Sequence, residues 1–161
     1  MELKGTYVVE CYRNGEKIWE ERVDNVVTKA GKNHMLRVAI SKEENPVAGW
    51  YVGLIGANVT PSENDTAQSA LGASGTYQEF TAYEGGVRPT FQCAFQGAGV
   101  NNTANPATFQ FSVNATVYGV FIVSNSTKGS NQGILLSAAR FGSPRQFSQG
   151  DALVVYYYIN S

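Results

Sequence analysis

The sequence has one histidine, two cysteines, two methionines and few charged residues, 16% of the chain, where an ordinary soluble domain carries about 25%. Each shortage removes a class of chemistry. His34 alone cannot form a histidine cluster, and Cys11 and Cys93 are far apart with no CxxC spacing, so no recognisable zinc ligand set is present. Any serine or cysteine nucleophile would have to share that histidine, and no Gly-x-Ser-x-Gly elbow occurs. The glycine clusters Gly72-Ala73-Ser74-Gly75 and Gly97-Ala98-Gly99 lack phosphate-cradling spacing and read as loops. The expectation is therefore no catalytic residue, no cofactor and no metal, with His34 packed or at a rim.

Charge excess is also missing. Twelve Lys and Arg against thirteen Asp and Glu give a net charge of -1 and a pI near 5.8, which does not favour nucleic acid as a partner. No run reaches the roughly 18 apolar residues that suggest a membrane helix. Met1-Glu2-Leu3-Lys4-Gly5 carries an acid and lacks the apolar stretch of a secretory signal. Synthesis in the cytoplasm, no membrane contact and two reduced thiols within strands are expected. The sequons at Asn58, Asn114 and Asn125 then read as loop composition.

What is present points to strands. Residues Thr6 to Arg13 alternate, Asn14-Gly15 follows, and Glu16 to Val23 alternates again, which is a hairpin signal because a type I′ turn needs positive φ at both central residues. Its faces mix apolar and charged residues, which suggests an arm over residues 1–24 attached to a domain over 25–161. Thr28 caps an expected helix from about Lys29 to Ile40. Further strands are expected at Trp50–Ile55, Tyr77–Tyr83, Arg88–Gln96, Thr108–Val113, Val117–Val123, Gly133–Phe141 and Ala152–Ile159, with one helical turn after Asp65. Short strands at close spacing, without interleaved helices, make the fold class mainly β: an antiparallel β-sandwich or jelly roll with an N-terminal hairpin and one short helix.

Two strands are apolar in both directions. Ala152, Val154, Tyr156 and Tyr158 alternate with Leu153, Val155, Tyr157 and Ile159, and Val117 to Val123 shows the same character. A sandwich sheet normally meets the core with one face, so the other needs cover from the chain's own helix, a loop or another chain. Acidic residues at Glu43-Glu44, Glu63 to Asp65, Glu79 and Glu84 read as solvated loop charges, and Asp151 as a turn residue bonding local backbone. Exposed aromatics such as Trp19 or Tyr83 are the features a carbohydrate-binding module would use.

From Asn25 onward the chain resembles a family of small virion structural proteins of tailed bacteriophages. The resemblance runs in order through Asn25-Val26-Val27-Thr28-Lys29-Ala30-Gly31, Trp50-Tyr51-Val52-Gly53-Leu54, Asp65-Thr66-Ala67 and Tyr77-Gln78-Glu79-Phe80-Thr81-Ala82-Tyr83. It continues through Arg88-Pro89, Gly119-Val120-Phe121-Ile122 and Gly133-Ile134-Leu135-Leu136 to Gly150-Asp151-Ala152-Leu153-Val154-Val155-Tyr156-Tyr157. It implies a capsid decoration or cement protein on the virion surface, without enzymatic activity. The implied partners are the major capsid protein of the same phage and further copies of the chain, a trimer being favoured. A tail, baseplate or fibre-associated β-domain is the alternative, and a carbohydrate-binding module the third reading. The expected interface residues are Trp19, Arg88, Tyr156 and Tyr158; the hairpin, which falls outside the resemblance, either pairs as an arm with a neighbour's sheet edge, the favoured reading, or extends the domain's own sheet.

Overall fold

A computed structural model describes residues 2–161. The Asn-Gly turn forms as expected: Asn14 and Gly15 have φ of 52° and 79°, joining β1 (Lys4–Arg13) to β2 (Glu16–Asp24). The chain continues through β3 (Val26–Val27), α1 (Lys29–Leu36), β4 (Tyr51–Ile55) and α2 (Ala67–Ala70). It then forms β5 (Ala94–Gln96), β6 (Gly99–Asn101), β7 (Ala107–Gln110), β8 (Ala115–Val123), β9 (Leu135–Phe147) and β10 (Ala152–Asn160).

These strands make two antiparallel sheets, a β-sandwich with one short helix of more than one turn. The larger sheet has the order β2-β1-β10-β6-β5, with β7 also pairing β10; the smaller has the order β3-β9-β8-β4. Between them lie Tyr7, Val9 and Cys11 of β1 and Leu153, Val155 and Tyr157 of β10, facing Val52, Leu54, Val120, Ile122 and Phe141. The period-2 alternation of β1 and β10 thus sends one row inward and leaves the other outward.

The hairpin is not a separate arm. β1 pairs with β10 from Lys4 opposite Asn160 to Tyr12 opposite Ala152, and Tyr7, Val9 and Cys11 are wholly buried. Its mixed polarity reflects one apolar and one outward row of an interior strand. Arg13, at the hairpin's tip, also grips Asp151 with two bonds of 2.9 Å. Asp151 accepts from Ser148 N–H at 2.8 Å, the local turn contact expected. The Arg13 bond, with the backbone bond, holds the Asp151 carboxyl below the usual carboxylate range, although its burial opposes this.

The helix forms over the expected residues, α-helical over Lys29–Leu36 and π-helical over Arg37–Ser41. Thr28 caps it by accepting from Gly31 N–H at 3.0 Å and donates to Leu135 O, which fixes α1 at the start of β9. After Leu36 the backbone widens into a π-turn over Arg37–Ser41 and stops at Lys42, with φ of 59°. Leu36 and Ile40 consequently point to solvent. Tyr77–Tyr83 and most of Arg88–Gln96 are not strands; they contribute single bridges, Phe80 with Leu54, Tyr83 with Phe111 and Thr90 with Tyr51. Gln78, with φ of 45°, breaks the extended run.

Because β1 supplies core side chains, a chain starting at Asn25 is expected to lose its cooperative melt by circular dichroism. Retention of a sharp transition would show instead that the hairpin is dispensable.

Candidate interaction face

β10 is an interior strand, bonded to β1 on one side and to β7 and β6 on the other. Its outward row of Ala152, Val154, Tyr156 and Tyr158 can therefore be covered only from above the sheet. Among the described residues, none of these four side chains belongs to either core cluster. The four residues are half-buried, and across the ladder they continue into Thr6, Val8, Glu10 and Tyr12 of β1. The cross-strand rows place Tyr156 beside Val8 and Arg22, Val154 beside Glu10 and Glu20, and Tyr158 beside Thr6 and Asp24. The result is an aromatic and aliphatic strip bordered on the β2 side by charge. Burial, followed by the nearby Glu10 carboxylate, pushes the Tyr156 phenol up, so it is neutral at physiological pH.

The other two-sided strand is resolved differently. β8 has Val117, Val120 and Ile122 in the inter-sheet core, while Phe121 and Val123 pack outward against Ile55, Ala67, Ala70, Leu71 and Tyr77. This second cluster is built by α2 and its flanking segments. Asp65 accepts from the Tyr77 hydroxyl at 2.8 Å and from Ser62 N–H at 2.8 Å, tying the covering segment together. Gly53 lets the Phe121 ring lie against its backbone, where a Cβ would collide with the ring. So the smaller sheet is covered on its outer face by this chain, through a loop and α2 and not through α1.

Of the expected interface residues, Tyr156 and Tyr158 lie on the open face and Trp19 and Arg88 do not. Trp19 stands opposite Cys11 on the inward row of β2, 5.7 Å from the Phe147 ring, with the Arg145 guanidinium 4.2 Å over its own ring. Arg88 has a side-chain exposure of 0% and cannot reach a partner. It holds Glu79 through bonds of 2.6 and 2.9 Å and donates to Asn125 O and Ser130 O, clamping two loops together. Glu79 is likewise buried rather than solvated. The pairing explains both positions: an Arg satisfied by a carboxylate and two carbonyls tolerates burial.

Neither aromatic considered for sugar stacking is available. Trp19 is packed as described, and Tyr83 is buried beneath Lys128, whose Nζ lies 3.8 Å from the ring centroid. His34 is buried at the rim of α1, where Nδ1 is 2.7 Å from Glu44 Oε2 and Trp50 meets the ring edge-on. The His34 bond is the largest influence holding the Glu44 carboxyl below its usual range. Cys11 is buried in β1 and Cys93 is exposed just before β5, both as free thiols; burial pushes Cys11 up to about 11. Among the described residues, no three of His, Cys, Asp and Glu gather in one place, and no helix is long and apolar enough to cross a membrane.

No known family model matches the chain, and no curated protein matches it.

Arg88→Met is expected to destabilise the fold by about 3–5 kcal/mol in chemical denaturation, because Glu79 is left buried without its partner. Adding Glu79→Gln to that variant should recover part of the loss. A cost under about 1 kcal/mol for the single variant would show that the clamp contributes little.

Proposed function

We propose that this chain is a virion structural protein that docks on the outer surface of a tailed-phage capsid and stabilises the shell as a decoration protein. The outer face of the larger sheet carries the proposal: Val8, Tyr12, Val154, Tyr156 and Tyr158 form a partly buried, outward-facing strip that belongs to neither core cluster. Aromatic residues are enriched at protein interfaces, where large rigid side chains bury area at low entropic cost. What directs this strip to a capsid is the resemblance read from the sequence from Asn25 onward, to which no family model or curated protein adds.

The mechanism requires no chemistry at the site. A sheet face laid across the seam between two shell subunits removes apolar area from water on both, so separating the subunits exposes that area again. The contribution per copy is modest, and repetition over a symmetric shell multiplies it. The β-sandwich supplies rigidity: the strip is set on an interior strand and its ladder neighbour, so little side-chain or loop ordering is needed on docking.

Quantitative proteomics of purified particles of the encoding phage tests the location. Hundreds of copies per particle, removed by capsid washing and not by tail detachment, are expected. A few to a few tens of copies that follow the tail would support the tail or fibre alternative, and absence from particles would overturn both. In reconstitution onto shells lacking the protein, Tyr156→Asp and Tyr158→Asp are each expected to weaken binding about tenfold or more, with the melting temperature changed by only a few degrees. Unchanged shell binding would remove the strip from the contact.

A further inference from the structure

β2 lies at one end of the larger sheet and is bonded only to β1. Among the described residues, no backbone–backbone hydrogen bond joins β2 to any other segment, so nine residues present an unpaired edge. Such an edge is a template for strand pairing unless its sequence prevents it. Charge is the usual guard, and β2 carries Glu16, Lys17, Glu20, Glu21, Arg22 and Asp24. The arrangement of these charges selects a register instead of forbidding pairing.

Antiparallel pairing of β2 with β2 of a second copy, about a two-fold axis perpendicular to the sheet, keeps outward residues opposite outward residues. Two centres pair five strand residues clear of the bulge that Ile18 makes opposite Cys11 and Tyr12: Glu21, spanning Trp19 to Val23, and Arg22, spanning Glu20 to Asp24. Centred on Arg22, the strands set Arg22 against Arg22 and Glu20 against Asp24. Only the register centred on Glu21 brings unlike charges together, with Glu20 opposite Arg22 twice on the outward face and Trp19 opposite Val23 twice on the inward face. Directly opposed unlike charges stabilise a ladder and like charges destabilise it.

Arg22 is suited to this role because no carboxylate of its own chain pairs with it among the described residues, whereas Lys17 is taken by Glu10 and Glu20. The two Glu21 side chains at the centre are already neutralised. Each accepts from Arg145 at 2.8 and 2.9 Å and from Gly142 N–H at 2.7 Å on the inward side.

We infer that β2 is a homodimerisation edge, joining two copies into one continuous sheet through reciprocal Glu20–Arg22 pairs. The axis leaves both tyrosine strips on the same side of the joined sheet. The inference does not depend on the capsid reading, and its test uses the isolated chain.

Sedimentation equilibrium of the full chain at micromolar to tens of micromolar concentration is expected to show a monomer–dimer equilibrium. Arg22→Glu and Glu20→Arg should each raise the dimer dissociation constant about tenfold or more, since each places two like-charge pairs in the ladder. The double exchange E20R/R22E restores unlike pairs and should return the constant toward that of the original chain. Far-UV circular dichroism checks that all variants stay folded. A monomer throughout, a trimer, or a dimer indifferent to the single reversals would each overturn the inference; failure of the double exchange to rescue would do the same.

Discussion

The structure depends on β10 having a strand on both sides. Pairing with β1 along its length and with β7 and β6 on its other edge consumes its backbone groups and fixes its side-chain parity. Leu153, Val155 and Tyr157 must then enter the core, and Val154, Tyr156 and Tyr158 must leave it. No rotation of the strand relieves this, because a one-residue slip would exchange the rows and put the outward set inside.

The two sheets answer the same demand in different ways. Both β8 and β10 have apolar residues in both directions, but the segment through α2 to Tyr77 is laid over β8, and α1 is held at the start of β9 by Thr28. Among the described residues, neither core cluster extends onto the outward rows of β1 and β10. This outer face is thus a consequence of where the covering segments are anchored, and it coincides with the strip of tyrosines and valines to which we assign docking. The proposed docking strip and the proposed β2 edge lie on different parts of the same sheet, its face and its margin, so the two contacts would not compete.

Much of this architecture was legible from local pattern. Asn14-Gly15 specifies its turn, Thr28 its cap, and the alternation in β1, β8 and β10 the rows they present. Long-range partners were not legible. Glu79 and Arg88 look like loop charges until the fold brings them within 2.6 Å, and Trp19 looks exposed until Phe147 and Arg145 are placed around it. The hairpin looked peripheral because Glu10 and Tyr12 dilute its apolar content, yet they belong to the outward row of an interior strand. Tyr77 to Tyr83 has strand-like composition, but Gln78 in the left-handed region and the absence of a continuous neighbour leave only isolated bridges. The outward direction of Tyr156 and Tyr158 was readable because strand parity decides it, and the packing of Trp19 and Arg88 was not because tertiary contacts decide it.

The central claim is that the tyrosine strip is open in the isolated chain and closed in the particle. Hydroxyl-radical footprinting of Tyr156 and Tyr158, in the purified protein and in intact virions, tests it directly. Oxidation at both residues should fall several-fold on assembly while Tyr157, inside the sandwich, stays protected in both states. Equal oxidation of Tyr156 and Tyr158 in the two states would contradict the account.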